Sequence, residues 1–221
     1  MKQRSMESSK RLNTVLTYVF LILGALIMVF PFVWMILTSL KTVPESMEVP
    51  PTIFPKELIV SNFGEAIKSL PFAKLYWNTG LMIVFRVICA VLFSSMAGYA
   101  FAKLEFKGKS ILFGIVLVQM SLPSQIFIIP QYQMVAKMGL ANTIFALVFP
   151  GLVSAFGVFF LRQTYMGIPN EVAEAAYLDG CNQWQTFYKV MFPLTGTSVA
   201  ALTIFTAVFA YSDLMWPLVV N

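Results

Sequence analysis

Long hydrophobic segments with little or no charge alternate with short polar ones along this chain. The interval 12–40 contains no charged residue, 76–102 contains only Arg86, and three further charge-free stretches follow. Each is longer than the roughly 20 residues that a helix needs to cross the hydrocarbon core of a membrane. Because lipid offers the backbone no hydrogen-bond partners, such segments must be helical. The pattern predicts an all-α polytopic membrane protein with five transmembrane helices, near 14–38, 77–101, 111–133, 140–161 and 194–216.

The polar segments between these spans predict the domain organisation. Residues 1–13 form an N-terminal tail, and residues 14–221 form one transmembrane domain. Within that domain the longest polar segments are 41–75 and 162–192. A secretory signal peptide is the alternative for the first span, but its apolar run is too long and no small-residue cleavage site follows.

The lysines and arginines predict the orientation, because basic residues are retained in cytoplasmic loops. With five spans, the N-terminus, 102–110 and 162–192 share one side of the membrane. This side carries more basic residues, which predicts a cell-membrane protein with a cytoplasmic N-terminus and an external 41–75 segment. These residues account for the net charge of +5, so lipid is an expected partner and nucleic acid is not. The cytoplasmic set is Lys2, Arg4, Lys10, Arg11, Lys103, Lys107, Lys109, Arg162 and Lys189, against Lys41, Lys56, Lys68, Lys74 and Lys137.

Residue types that the chain lacks exclude several kinds of site. There is no histidine, which removes His-based metal sites, Ser-His relays and histidine proton shuttles. Cys89 falls in the second span and Cys181 in the cytoplasmic loop, so we expect no disulfide between them. The sequence contains no glycine-rich phosphate loop of the ATPase kind. We therefore expect no metal, no cofactor and no hydrolytic activity in this chain.

Two ionisable residues lie at membrane depth. Arg86 is near the middle of the second span, and Asp213 is near the outer end of the last. Charged groups there are costly and usually face a bundle interior or a cavity. A structural ion pair or snorkelling contact is favoured for Arg86 over a direct substrate contact. For Asp213 an anchor at a helix end is favoured.

The polar loop 162–192 carries the most informative pattern. Pro169 suits the first position of a helix, and Glu171 would lie in its first turn, where the helix dipole favours an acid. Val172, Ala175, Ala176 and Asp179 recur at helical spacing and predict a narrow face of small residues, with Glu171 and Glu174 to one side. Gly180 suits a helix C-terminus with positive φ.

A second short helix is predicted directly after this one. Asn182 can cap it, and Pro193 ends the loop before the last span. The first helix could dock on a partner protein or lie on the bilayer surface. A surface-bound helix would carry Lys and Arg on its polar face, whereas this one carries acids, which favours docking. The predicted apolar face of the second helix consists of Trp184, Phe187, Tyr188 and Met191.

The spacing of these residues resembles a known motif. Glu174, Ala175, Ala176 and Gly180, then Val190 and Phe192-Pro193, are similar to the cytoplasmic motif of ATP-binding-cassette importer permeases. The one departure is Phe192, where leucine is usual. AGYAFAKLEFKGK at 97–109 and YSDLMWPLVV at 211–220 resemble the maltose-type carbohydrate permeases.

This resemblance implies a mechanism and a set of partners. A solute-binding protein would deliver a carbohydrate to the external face, and the chain would pair with a second permease subunit. Two ATPase subunits would close on ATP and drive alternating access. The residues implied in coupling to the ATPases are Glu171, Glu174, Ala175, Ala176, Asp179, Gly180 and Pro193.

Relatives of this kind continue through a sixth helix that returns the C-terminus to the cytoplasm. The present sequence ends at Asn221, after the fifth predicted span. Two alternatives stay open beside the sugar permease, and the stop after five spans supports only the second. One is a permease for another solute, such as a polyamine or phosphate. The other is an inactive or scaffolding membrane subunit that assembles with partners without transporting.

Overall fold

The computed structural model describes residues 2–220, with side chains for residue 11 and residues 13–220. The described residues form helices and no strand, which confirms the all-α prediction. The chain divides into two compact units, Met1–Phe72 and Ala73–Asn221. Two helices are long and apolar enough to cross a membrane unbroken, and the number rises to five if each of three bent helix pairs counts as one span.

The first unit is dominated by helix α1, Lys2–Ser39. Its apolar stretch, Asn13–Ser39, matches the first predicted span and has no buried residue. Pro31 lies inside this helix without ending it. The unit continues through two short helices, α2 (Val43–Ser46) and α3 (Ser61–Ser69). The side-chain amide of Asn62 donates to the backbone oxygens of Ser39 and Lys41, both at 2.9 Å, and so ties α3 to the end of α1.

The segment between α2 and α3 has its own polar centre around Glu45, which is buried. Glu45 Oε1 accepts hydrogen bonds from the Thr52 hydroxyl at 3.0 Å and from the Lys56 backbone N–H at 2.9 Å. The Lys41 ammonium donates to the Thr52 backbone oxygen, and Lys56 pairs with Glu48 at 2.7 Å. This part of the predicted external segment is therefore ordered by its own hydrogen bonds.

The second unit contains the other four predicted spans. Only helix α4, Phe72–Lys103, is unbroken, and it begins ahead of the predicted start at residue 77. The next two spans consist of α5 (Lys109–Ser121) with α6 (Ile128–Lys137), and α7 (Ile144–Val148) with α8 (Ala155–Met166). The remaining helices are α9 (Asn170–Leu178), α10 (Gln183–Gln185), α11 (Phe192–Leu194), α12 (Gly196–Ser212) and α13 (Met215–Val220).

Three bends separate helices of the second unit, two of them inside predicted spans and the third at the start of the last predicted span. The sharpest, 105°, follows α5 at Leu122 and Pro123. Leu122 is extended, as expected for a residue before proline. The α7–α8 pair bends by 47° beyond Pro150, and the segment 183–212 bends by 78° near Thr195. Proline accounts for the first bend directly, because it lacks the N–H that would continue the helix.

Two apolar clusters hold the second unit together. One joins Met82 of α4 to Trp216 of α13. The other, which we call the Tyr165 cluster, joins α4, α8, α9 and α12. Gly98 lets α4 approach α8 closely, since a Cβ there would lie 2.9 Å from the Arg162 backbone nitrogen. Buried members of the Tyr165 cluster are Val91, Tyr99, Leu161, Tyr165, Ala173, Met191 and Leu202.

Candidate coupling site

Helix α9 is the first helix predicted in the loop 162–192. It begins at Asn170, so Pro169 is its N-cap residue and not, as we predicted, its first helical residue. Glu171 lies in the first turn, as predicted. At the other end Gly180 has φ of 83°, in the left-handed region that glycine tolerates. The Cys181 N–H bonds to the Ala176 oxygen and the Gly180 N–H to the Tyr177 oxygen, both at 3.0 Å, which is a Schellman motif.

The faces of α9 differ from the single small-residue face that we predicted. Ala176 is buried, and so is Ala173, which belongs to the Tyr165 cluster. Ala175 and Asp179, predicted to share a face with Ala176, are exposed instead. Packing against the membrane helices selects the inward side, and helical spacing alone could not identify it. Ala176 is thus positioned to contact the rest of this chain rather than a partner.

The exposed side of α9 carries acids and one large apolar residue. Glu171, Glu174 and Asp179 are all exposed. Leu178, which sequence reasoning missed, is 90% exposed at the last helical position. The sequence carries no specific signal for it, because single exposed apolar residues are common on protein surfaces.

The second predicted helix is present but irregular. Asn182 and Gln185 form a reciprocal capping box, each side chain bonding to the other's backbone N–H at 2.9 Å, which confirms the predicted cap. After α10 the backbone becomes a π-helix over Thr186–Met191, and Pro193 then lies exposed in α11. The predicted apolar face was wrong in part. Met191 is buried and Phe187 partly so, whereas Trp184 and Tyr188 are exposed. Phe187, Tyr188 and Met191 lie in the π-helix, whose wider turn departs from the α-helical register on which the prediction relied.

Arg86 and Asp213 form an ion pair with each other. Arg86 Nη1 lies 3.1 Å from Asp213 Oδ2, and the two side chains are 14% and 24% exposed. The other carboxylate oxygen accepts the Trp216 backbone N–H at 3.3 Å, and the Trp216 indole donates to the Ala146 oxygen at 2.9 Å. The ion pair favoured for Arg86 and the helix-end anchor favoured for Asp213 are therefore one arrangement. It links α4, α7 and the start of α13.

Residues that bind metals do not gather anywhere in the described part of the chain. Among the side chains that the structure describes, those of residue 11 and residues 13–220, no three from His, Cys, Asp or Glu are close enough to hold an ion. Cys89 and Cys181 are both free thiols.

Known proteins are similar to this chain in sequence and in fold. The model of the family described as "Binding-protein-dependent transport system inner membrane component" matches residues 6–221. The permease protein AraQ of an arabinooligosaccharides transport system in Halalkalibacterium halodurans is 38% identical over 89% of this chain and 71% of its own length. The AraQ permease protein of Bacillus subtilis is 30% identical, and the match covers 93% of the present chain and 74% of the Bacillus protein. The permease protein NgcG of a diacetylchitobiose uptake system in Streptomyces coelicolor is 27% identical over 99% and 72%.

A solved structure supports the same fold. It is a bacterial ABC transporter involved in the import of the acidic polysaccharide alginate, and one of its chains matches with a TM-score of 0.79 at 24% identity. The match covers 96% of the present chain and 75% of that chain. The resemblance inferred from the loop motif is confirmed by the family match and the curated relatives. The chain belongs to the family of binding-protein-dependent transport system inner membrane components, and it is a permease subunit of such an importer.

Proposed function

We propose that this permease carries an oligosaccharide and that helix α9 couples it to two ATPase subunits. The exposed face of α9 is the observation that carries the coupling role. Glu171, Glu174 and Asp179 would meet basic side chains of an ATPase, and Leu178 would enter an apolar pocket there. The buried Ala173 and Ala176 face the membrane helices, so a push on α9 passes directly to their packed side chains.

The two ends of the loop 162–192 determine where a displacement of α9 would reach the membrane helices. Gly180 reverses the chain after α9 in a compact hydrogen-bonded turn, which gives α9 a defined end. Pro193 lies where the loop enters α11, just before the 78° bend near Thr195. A displacement of the loop would therefore reach α12 at this bend.

A neutral solute agrees with the charges inside the second unit. Arg86 is paired with Asp213, so neither presents an uncompensated charge to an anionic or cationic solute. The names of several relatives refer to neutral sugars, namely arabinooligosaccharides, lactose and diacetylchitobiose. Another is named for sn-glycerol-3-phosphate, which is anionic. We place the present chain with the oligosaccharide group.

The remaining partners and the orientation belong to the same proposal. The permease pairs with a second permease subunit, and a solute-binding protein docks on the external side, where the ordered segment around Glu45 and Lys56 would receive it. The N-terminus and α9 lie in the cytoplasm, as the lysine and arginine bias predicts.

Transport by the assembled importer tests this function. The complex is reconstituted in liposomes with its binding protein, and ATP-dependent uptake of arabinotriose, lactose, N,N′-diacetylchitobiose and sn-glycerol-3-phosphate is measured. We expect uptake of at least one of the three oligosaccharides. Uptake of sn-glycerol-3-phosphate alone would contradict the substrate class, and assembly without uptake of any solute would favour the scaffolding alternative.

A further inference from the structure

The segment 97–109 contacts the beginning of helix α9 through a lysine. Lys103 is the last residue of α4 and is partly buried. Its ammonium donates to the Ile168 backbone oxygen at 2.5 Å and to Asn170 Oδ1 at 2.6 Å. Both acceptors lie within two residues of Pro169, the N-cap of α9. One side chain of α4 therefore holds the entry to α9 at two points.

The same segment contacts the other end of α9 through a tyrosine. Tyr99 lies one turn before Lys103 on α4, and its hydroxyl is 3.4 Å from that of Tyr177, in the last turn of α9. The Tyr99 ring is almost fully buried and packs edge-on against Tyr165, with ring centroids 5.7 Å apart. Tyr99 and Lys103 thus contact the two ends of a nine-residue helix.

The Lys103 ammonium lies beside the N-terminus of α9, an unfavourable position for a positive charge. A lysine that served only to orient the chain in the membrane would not need this position. An ammonium near a helix N-terminus is opposed by the positive end of the helix dipole. Burial of the ammonium adds to that cost, and the charge of Glu171 in the first turn counters it only in part. Charge-assisted hydrogen bonds are about twice as strong as neutral ones, so two of them define the position of the ammonium closely. The neighbouring Lys107, by contrast, is exposed.

The end of α4 is also fixed to α8, so a displacement at Lys103 moves packed helices and not a free end. Gly98 places the backbone of α4 against Leu161 and Arg162. The Arg162 guanidinium donates to the Phe101 backbone oxygen at 3.3 Å and lies over the Phe113 ring of α5, 4.1 Å from its centroid. Three membrane helices therefore meet where α4 holds α9.

We propose that Lys103 and Tyr99 are positioning residues that clamp α9 to α4, so that displacement of α9 moves α4 as one body. This clamp deepens the coupling role proposed above and rests on it. Lys103 supplies most of the restraint through its two short hydrogen bonds. Tyr99 supplies less, because its hydroxyl contact is long and the packing of its ring survives loss of the oxygen.

Amide hydrogen exchange of the assembled importer tests the clamp without any solute. In Lys103→Met, amides of residues 170–178 should exchange at least about tenfold faster than in the wild type, because both hydrogen bonds of the ammonium are lost and a tenfold change corresponds to about 1.4 kcal/mol. Lys103→Arg should keep near-wild-type exchange, because its guanidinium can still donate to both oxygens. Lys107→Met, which removes the same charge four residues away, should leave these amides unchanged.

Two further measurements separate the clamp from a general loss of stability. Asn170→Ala removes one acceptor of the Lys103 ammonium without altering charge, and it should accelerate exchange of the same amides by a smaller factor. This variant still tests the clamp if the Lys103→Met importer does not assemble. In reconstituted vesicles Lys103→Met should lower the ratio of ATP-dependent uptake to ATP hydrolysis several-fold, with arabinotriose as probe or whichever oligosaccharide the wild type takes up.

Unaltered exchange in both Lys103→Met and Asn170→Ala would overturn the clamp, as would equal acceleration in Lys107→Met. Failure of the proposed function looks different, because the wild type itself would then show no uptake. In that case the exchange results still decide whether Lys103 restrains α9.

Discussion

The carboxylate of Asp213 lies 3.1 Å from the guanidinium of Arg86, joining the end of α12 to the middle of α4. The guanidinium also packs against Gly151, where a Cβ would clash with its side chain. Trp216 extends the arrangement by bonding to both Asp213 and Ala146. The Arg86–Asp213 ion pair, together with Trp216, therefore attaches the end of α12 and the helix α7 to α4.

Replacing Arg86 with methionine should destabilise the permease, because the Asp213 carboxyl would lose its ion-pair partner in a partly buried site. We expect a loss of about 2 kcal/mol in the free energy of unfolding, between the values typical of exposed and fully buried pairs. Thermal unfolding in detergent micelles measures this. Adding Asp213→Asn should recover part of the loss, since the unpaired carboxyl is removed. A double variant as unstable as the sum of the two single variants would contradict the pairing.

Gly98 should tolerate no side chain, because a Cβ there would lie 2.9 Å from the Arg162 nitrogen and 3.2 Å from the Leu161 Cβ. Gly98→Ala should cost about 1–3 kcal/mol of unfolding free energy through displacement of α4 from α8. Gly114→Ala in α5 is the control, since nothing lies within 4 Å of a Cβ there. It should be neutral or stabilise by up to about 1 kcal/mol through higher helix propensity. Equal effects at the two positions would mean that the close approach does not matter.

Glu45 should make the first unit sensitive to acid. Burial alone would raise the pKa of this carboxyl, but hydrogen bonds from Lys56 and Thr52 and the charges of Lys41 and Lys56 outweigh burial and lower the pKa below the ordinary 4.5. A depressed folded-state pKa means that the stabilisation is complete above pH 4.5 and is lost as pH falls through the folded value.

Amide exchange at the Lys56 N–H, which donates to Glu45, checks this. After correction for the intrinsic rate, protection should fall below pH 4.5 in the wild type. Glu45→Gln should be less protected at neutral pH and show no acid step, whereas Glu57→Gln, at an exposed neighbour, should behave as the wild type. A step that persists in Glu45→Gln would assign it to another group.

The sequence alone predicted the helices and several of their ends, because local properties of the chain determine these features. Long charge-free segments require helices in lipid, Gly180 marks the end of one short helix, and Asn182 marks the start of the next. Each of these outcomes follows from a backbone constraint on a single residue type.

Tertiary packing decided the features that spacing could not predict. The inward face of α9 is chosen by contact with the Tyr165 cluster, so Ala176 is buried while Ala175 is not. Thr186–Met191 form a π-helix in which Tyr188 is exposed and Met191 is buried, although α-helical spacing groups these two residues on one face. From the sequence, Lys103 is one of the basic residues that predict the orientation in the membrane. Only the folded structure shows its hydrogen bonds to Ile168 and Asn170.

The central claim is that the acidic face of α9 transmits ATPase closure to the membrane helices. Stimulation of ATP hydrolysis by binding protein plus an imported oligosaccharide, measured for Glu174→Lys in reconstituted importers, tests it most directly. Glu174→Gln, which removes the charge without reversing it, serves as the milder comparison. The coupling role predicts that Glu174→Lys abolishes stimulation and that Glu174→Gln reduces it. Wild-type stimulation in Glu174→Lys would contradict the coupling role of this helix.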